Sequence, residues 1–243
     1  MPKPNLNVFL FIVIIIGFVF LVVLGSIFVK RREPGQAAEE QILKTIKNFL
    51  KNNHYKKADY LLVNNLILQK QNYWSCEIDL LLLTKKWIYV IEVKDWGRGR
   101  LTGNFNHEYL EWSYKVGKQR RHQRHRMYSP FWQNETHIKR FKNYFGLANN
   151  QNILGIIVFN SPYLEIALKE NKKSVFENKH VWTKNITYWL ARCENQNTQL
   201  PSFEWLKEKV EKEIAIIDPH KAQRHRAWVK EVKKEKESKD MLR

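Results

Sequence analysis

An almost unbroken apolar run, VFLFIVIIIGFVFLVVLGSIFV, occupies Val8 to Val29 near the start of the chain. About 22 residues at ~1.5 Å rise give a helix of ~33 Å, enough to cross a hydrocarbon core of ~30 Å. A cleaved leader has a shorter apolar region that ends at a small-residue site, and Gly25-Ser26 matches such a site poorly. A retained transmembrane helix is the expectation. Beyond Glu33-Pro34-Gly35 the pattern changes. Ile42, Leu43, Ile46, Phe49 and Leu50 recur at helical spacing and predict a helix over 36–50, with Glu39 and Glu40 in its first turns.

Strand patterns come next. Residues 60–63 and 66–68 read as a strand, or a bent pair, around Asn64-Asn65. The runs 77–84 and 87–94 are denser and predict a central hairpin turning at Lys85-Lys86. Arg100 to Gly103 and Glu111 to Tyr114 are shorter strand candidates, Gly117 to Met127 reads as a basic loop, and Ile153 to Phe159 is a further apolar strand. Helices are predicted over 131–145, 183–193, 202–217 and from Asp218 onward. The organisation expected is a tail and membrane helix at 1–32, a catalytic domain at 33–160 and an accessory helical region with a basic tail at 161–243.

Charge narrows the partners. With 42 Lys and Arg against 24 Asp and Glu, the formal net charge of +18 points to an anionic partner, nucleic acid or a lipid surface. Lys30-Arg31-Arg32 follow the apolar run while only Lys3 precedes it, so the positive-inside rule puts the amino terminus outside a single-pass cell-membrane protein and the rest in the cytoplasm. Cys76 and Cys193 are far apart and outside any ligand cluster, which argues against a disulfide scaffold or a zinc site.

The hairpin carries the chemistry. Asp79, Glu92 and Lys94 are set into runs that otherwise read as buried, and an isolated buried charge costs several kcal/mol unless it is paired or holds a metal. Glu92 and Lys94 share a strand face, and a turn at Lys85-Lys86 pairs position 79 with a position near 92. Two carboxylates, Asp79 and Glu92, with the Val93 carbonyl, suit Mg²⁺ or Mn²⁺, and Lys94 would activate water and offset charge on a phosphoryl transition state. Glu39 would complete the shell. The pattern is that of metal-dependent phosphodiester cleavage.

Glu39-Glu40-Gln41-Ile42, Glu77-Ile78-Asp79, the run from Ile88 to Gly97 and Ser129-Pro130-Phe131-Trp132-Gln133-Asn134-Glu135-Thr136-His137-Ile138 together resemble the nuclease-related domain (NERD) family of the PD-(D/E)XK nuclease superfamily, over roughly residues 35 to 160. Ala38 and Ser129 depart from the glycine and asparagine common there. The resemblance implies an α/β fold, a restriction-endonuclease-like mixed β-sheet core flanked by helices. It implies Asp79, Glu92 and Lys94 as the catalytic set, assisted by Glu39 and Gln133, with Mg²⁺ as cofactor and DNA as the substrate in view. His137 lies one helical turn beyond Gln133 and would reach a phosphate or nearby water.

Lys118, Arg120, Arg121, Arg124 and Arg126 give the basic loop a density suited to phosphate contacts. Lys221, Arg224, Arg226, Lys230, Lys233 and Lys234 would face either the anionic inner leaflet or nucleic acid. Trp96 and Trp112 read as packing beside a sheet edge, with base stacking the other reading. The alternative to a nuclease is a non-catalytic membrane-tethered adaptor that binds nucleic acid or protein through the same fold. A lipid-surface structural protein would leave the buried acids without a role.

Overall fold

The computed structural model describes residues 35–70, 74–105, 107–116, 121–147, 152–169, 179–182 and 185–215, together with 225, 227 and 229. The apolar run at 8–29 lies outside them, as do Lys118, Arg120 and nearly all of the stretch beyond Asp218. Among the described residues no helix is long and apolar enough to cross a membrane.

Helix α1 (Gln36–Asn52) precedes strands β1 (Tyr60–Lys70), β2 (Trp74–Thr84), β3 (Ile88–Lys94), β4 (Gly99–Asn104), β5 (Tyr109–Val116) and β6 (Arg121–Tyr128). Helix α2 (Pro130–Phe145), strands β7 (Ile153–Phe159), β8 (Leu164–Lys169) and β9 (Lys179–Trp182), and helices α3 (Ile186–Glu194) and α4 (Phe203–Ala215) complete the order. The first sheet runs β1-β2-β3-β7-β9 and the second β6-β5-β4-β8. In the first, β1, β2 and β3 are antiparallel while β7 and β9 join parallel to β3, giving a mixed sheet. The second sheet begins in the long crossover between β3 and β7 and is closed by β8, parallel to β4.

Helices cover both faces of the first sheet. Ile138, Phe141 and Phe145 of α2 and Phe203, Leu206 and Val210 of α4 pack with Leu81, Leu83, Ile88 and Val90 on one face. Ala38, Ile42, Ile46 and Phe49 of α1 and Ile186 and Leu190 of α3 pack with Leu80, Leu82, Tyr89 and Ile91 on the other. The alternation of strand side chains sorts these residues, and the same period predicted the strands. The α2 helix starts with Pro130 at its first positions and ends at Gly146, whose φ of 64° is the left-handed cap that glycine adopts without strain.

Two expectations differ from the structure. The stretch read as a basic loop is partly a strand, because Arg121 to Tyr128 pair residue by residue with β5 from Tyr109↔Tyr128 to Val116↔Arg121. Its Arg, His and Gln side chains have no apolar alternation because β6 is an exposed edge, with 123–126 all exposed. Residues 161–243, expected to be helical and accessory, also supply β8 and β9, one to each sheet.

The β1–β2 pair bends where the sequence placed Asn64-Asn65. Leu61 and Val63 share a face with Leu66 and Leu68, and Cys76 and Ile78 share it with Leu81 and Leu83. Both strands therefore swap faces near Asn65 and Asp79. Asn65 makes the swap with φ of 53°, a left-handed conformation that asparagine tolerates better than most residues.

Candidate active site

The β2–β3 ladder runs from Leu83↔Ile88 to Leu80↔Ile91, so one step further the register sets Asp79 opposite Glu92. There the strands stop exchanging backbone hydrogen bonds. The Val93 N–H donates instead to Asp79 Oδ2 at 2.7 Å. That bond fixes the Asp79 carboxylate at the end of β3, and Lys94 is the next residue.

Glu92 is 1% exposed. The Lys94 ammonium donates to Glu92 Oε1 and, at 3.0 Å, to Gln133 Oε1. On the other side His137 Nδ1 stands 3.3 Å from Glu92 Oε2. That spacing makes an ion pair when the ring is protonated, but the ring is not aligned for a hydrogen bond, and Oε2 is a buried carboxylate oxygen without an aligned donor. Gln133 and His137 are four residues apart on α2, so one helix face delivers both. The Asn134 amide donates to the Val90 and Ile156 carbonyls and pins α2 over β3 and β7.

Charge in the cluster is coupled. Burial, and next the Glu92 carboxylate, hold Asp79 well above the ordinary carboxyl range against the opposing pull of Lys94 and the Val93 N–H. Burial would likewise raise Glu92, but Lys94 and then His137 more than offset it and bring the group below its ordinary value. Lys94 is pushed down by burial and up, more strongly, by Glu92 and Asp79, so it stays charged. Glu39, at the start of α1, acts electrostatically on both Asp79 and Lys94. The two helices thus address the site from opposite faces of the sheet.

Asp79, Glu92, Lys94, Gln133 and His137 are therefore brought together, with Glu39 near enough to influence them. His137, expected among the nucleic-acid contacts, is 7% exposed and lies against Glu92. Arg124 and Arg126 are exposed on β6, Arg121 lies on that strand, and Lys118 and Arg120 fall outside the described residues. The reading from sequence did not anticipate that Gln133 holds Lys94. A glutamine facing a buried lysine across a helix–sheet interface has no local pattern that marks it.

The donor set fits a hard divalent cation. Asp79 commits Oδ2 to the Val93 N–H, and Glu92 keeps a buried oxygen without an aligned donor. Two carboxylates held this close favour a cation between them, and Mg²⁺ sites commonly use one or two carboxylates plus substrate oxygens. Among the described residues there is no group of three or more His, Cys, Asp and Glu disposed as a metal cage. Cys76 plays no part, since burial pushes its thiol up to about 12 and keeps it protonated.

Comparison with known proteins returns one family: the model of the nuclease-related domain (NERD) matches residues 34–160. No curated protein and no solved structure matches the chain. The matched stretch contains Glu39, the β2–β3 hairpin and α2, and so includes every residue of the cluster just described.

Proposed function

This chain belongs to the nuclease-related domain family, and on that premise we propose that it is a divalent-metal-dependent nuclease hydrolysing phosphodiester bonds, with DNA as substrate. The observation that carries the proposal is the convergence of Asp79, Glu92 and Lys94 where β2 and β3 part, with the acids in register and the amine held charged. Family membership supports nuclease-related chemistry, and the clustering of these residues supports their part in it.

Asp79, Glu92 and the Val93 carbonyl would hold Mg²⁺ or Mn²⁺, which when bound supplies Lewis-acid polarisation of the phosphoryl oxygens. Lys94 holds its proton and offsets the negative charge that builds on the phosphoryl group. Gln133 fixes the direction of the ammonium through its 3.0 Å contact. His137 neutralises the far side of Glu92 when protonated and keeps that carboxylate turned toward the site. Glu39 adds negative potential that favours a cation over a vacant pair of acids.

The same proposal places the domain on the cytoplasmic face of the membrane, anchored through 8–29, because Lys30-Arg31-Arg32 follow that run. Protease added to intact cells should leave the part after residue 32 undigested, and digestion from outside would reverse the topology.

The activity is tested on the full-length chain in detergent, incubated with single- and double-stranded DNA and with RNA, with Mg²⁺ or Mn²⁺ and with chelator. Metal-dependent hydrolysis of DNA is expected. Hydrolysis that survives chelation, or none in any metal, contradicts the proposal.

A further inference from the structure

The inner face of the second sheet continues past the core that it covers. Leu110, Trp112 and Tyr114 share one face of β5, and across the ladder they stand opposite Met127, His125 and Gln123. Leu110 is buried in the cluster around Phe131 and Phe159, with Trp96, Trp112 and Met127 packed at its margin. Tyr114 and His125 do not belong to that cluster. His125 is exposed, and it stacks on Tyr114 with ring centroids 5.5 Å apart and 11° between planes.

Trp112 joins the inner rings to the outer ones. It is 4.6 Å from Tyr114, 6.0 Å from His125 and 6.5 Å from Trp96, and Trp96 is 5.6 Å from Phe159. Phe159 is the register partner of Lys94, and Trp96 follows Lys94 by two residues. A continuous file of rings therefore leaves the Lys94 end of β3 and climbs the β5–β6 hairpin to solvent. The indole N–H edge of Trp112 is turned in against Gly99, where an added Cβ would collide with it, so the missing side chain lets the ring lie close to β4.

Packing accounts for Phe159 and Trp96 but not for the outer end, where Tyr114 and His125 overhang the core. Arg98 is exposed at the base of the file, next to Gly99. Arg124 and Arg100, which stand opposite Ser113, and Arg126, opposite Glu111, alternate with the file and lie on the other face of the sheet, where Glu111 and Glu165 offset part of their charge.

We propose that this file of rings is a stacking ramp for single-stranded nucleic acid that leads a strand to Asp79, Glu92 and Lys94; the delivery role rests on the nuclease reading above. Unpaired bases present flat apolar faces that such rings can stack on. A duplex keeps its base faces stacked inside and offers the ramp nothing. The substrate class is a single strand or a frayed end.

The test uses the full-length chain in detergent with chelator present, so that no cleavage enters the measurement, and an oligothymidylate of about 16 nucleotides. Binding should quench tryptophan fluorescence and exceed the affinity for a duplex of equal length. Tyr114→Ala and His125→Ala should each weaken the single strand on the order of tenfold and leave duplex affinity unchanged. His125 is exposed, so its replacement keeps the fold, which an unchanged melting temperature checks. Equal affinity for the two forms, or wild-type single-strand binding by the Tyr114→Ala/His125→Ala double variant, overturns the ramp. A chain that binds single strands through these rings but cleaves nothing in metal retains the ramp and loses the nuclease reading.

Discussion

Glu92 is a carboxylate sealed between an ammonium and an imidazole, and its ionised state depends on both. His137→Ala removes one of them. Glu92 should then titrate higher, the acid limb of the pH–rate profile should move to higher pH, and metal affinity should fall by ~10–100-fold, the usual effect of losing a group that supports a ligand. His137→Gln, which keeps a polar side chain there without a charge, should recover part of the affinity and none of the pH shift. Asp79 behaves in the opposite sense. Its carboxyl is held well above the ordinary range, so in the metal-free protein it adds stability that is full below about pH 4 and is lost as pH rises through the raised value. Asp79→Asn keeps an oxygen for the Val93 N–H, and in chelator at about pH 8 it should melt above wild type, by roughly 2–4 °C for each kcal/mol of strain relieved. At about pH 4 the two should melt together. Thermal unfolding at both pH values decides this. Asp79, Glu92 and Lys94 were legible because charge inside an apolar run has to be explained locally. The contacts of Gln133 and His137 were not, because they cross from helix to strand.

The bend shared by β1 and β2 is the element on which the site turns. With both strands swapping faces near Asp79, the carboxylate sits at the irregular step and not within a regular ladder. Asn65 supports that step at φ of 53°, so Asn65→Val should destabilise the protein by ~1–2 kcal/mol in urea unfolding, while Asn65→Gly should be close to neutral. If the step also places Asp79, the valine variant loses activity beyond what its stability explains. The Asn64-Asn65 pair was visible in the sequence as a break, but its consequence for the facing strand was not, since that depends on pairing. The β6 strand was missed for a related reason. Strand patterns are read from one buried face, and β6 is an edge whose central side chains are exposed.

On the scale of the molecule, the region beyond residue 160 is bound into the fold that it follows. The Glu194 carboxylate at the end of α3 accepts hydrogen bonds from Thr84 at 2.8 Å, Tyr89 at 2.6 Å and Tyr55 at 2.8 Å. Trp87 Nε1 and Lys86 Nζ donate to the carbonyls of Cys193 and Glu194, and the Leu200 N–H donates to the Lys85 carbonyl. The turn of the β2–β3 hairpin is thus gripped by the chain from 193 to 200. Glu194→Ala leaves three hydroxyls short of an acceptor and should cost on the order of 3 kcal/mol in denaturant unfolding, with Glu194→Gln costing less. A chain ended at residue 160 also lacks β8 and β9, one strand from each sheet, and should not fold. The helices of this region were legible from their apolar spacing. Strands as short as LEIALK and KHVW take their identity from the neighbours they pair with.

The most direct measurement is the rate at which the full-length protein cleaves end-labelled single-stranded DNA in Mn²⁺, compared between wild type and Asp79→Ala. Loss of one of two carboxylates from the site should lower the rate by at least ~10²-fold, in line with removal of a single transition-state contact. Equal rates would mean that cleavage, if present, arises elsewhere, and would contradict the account.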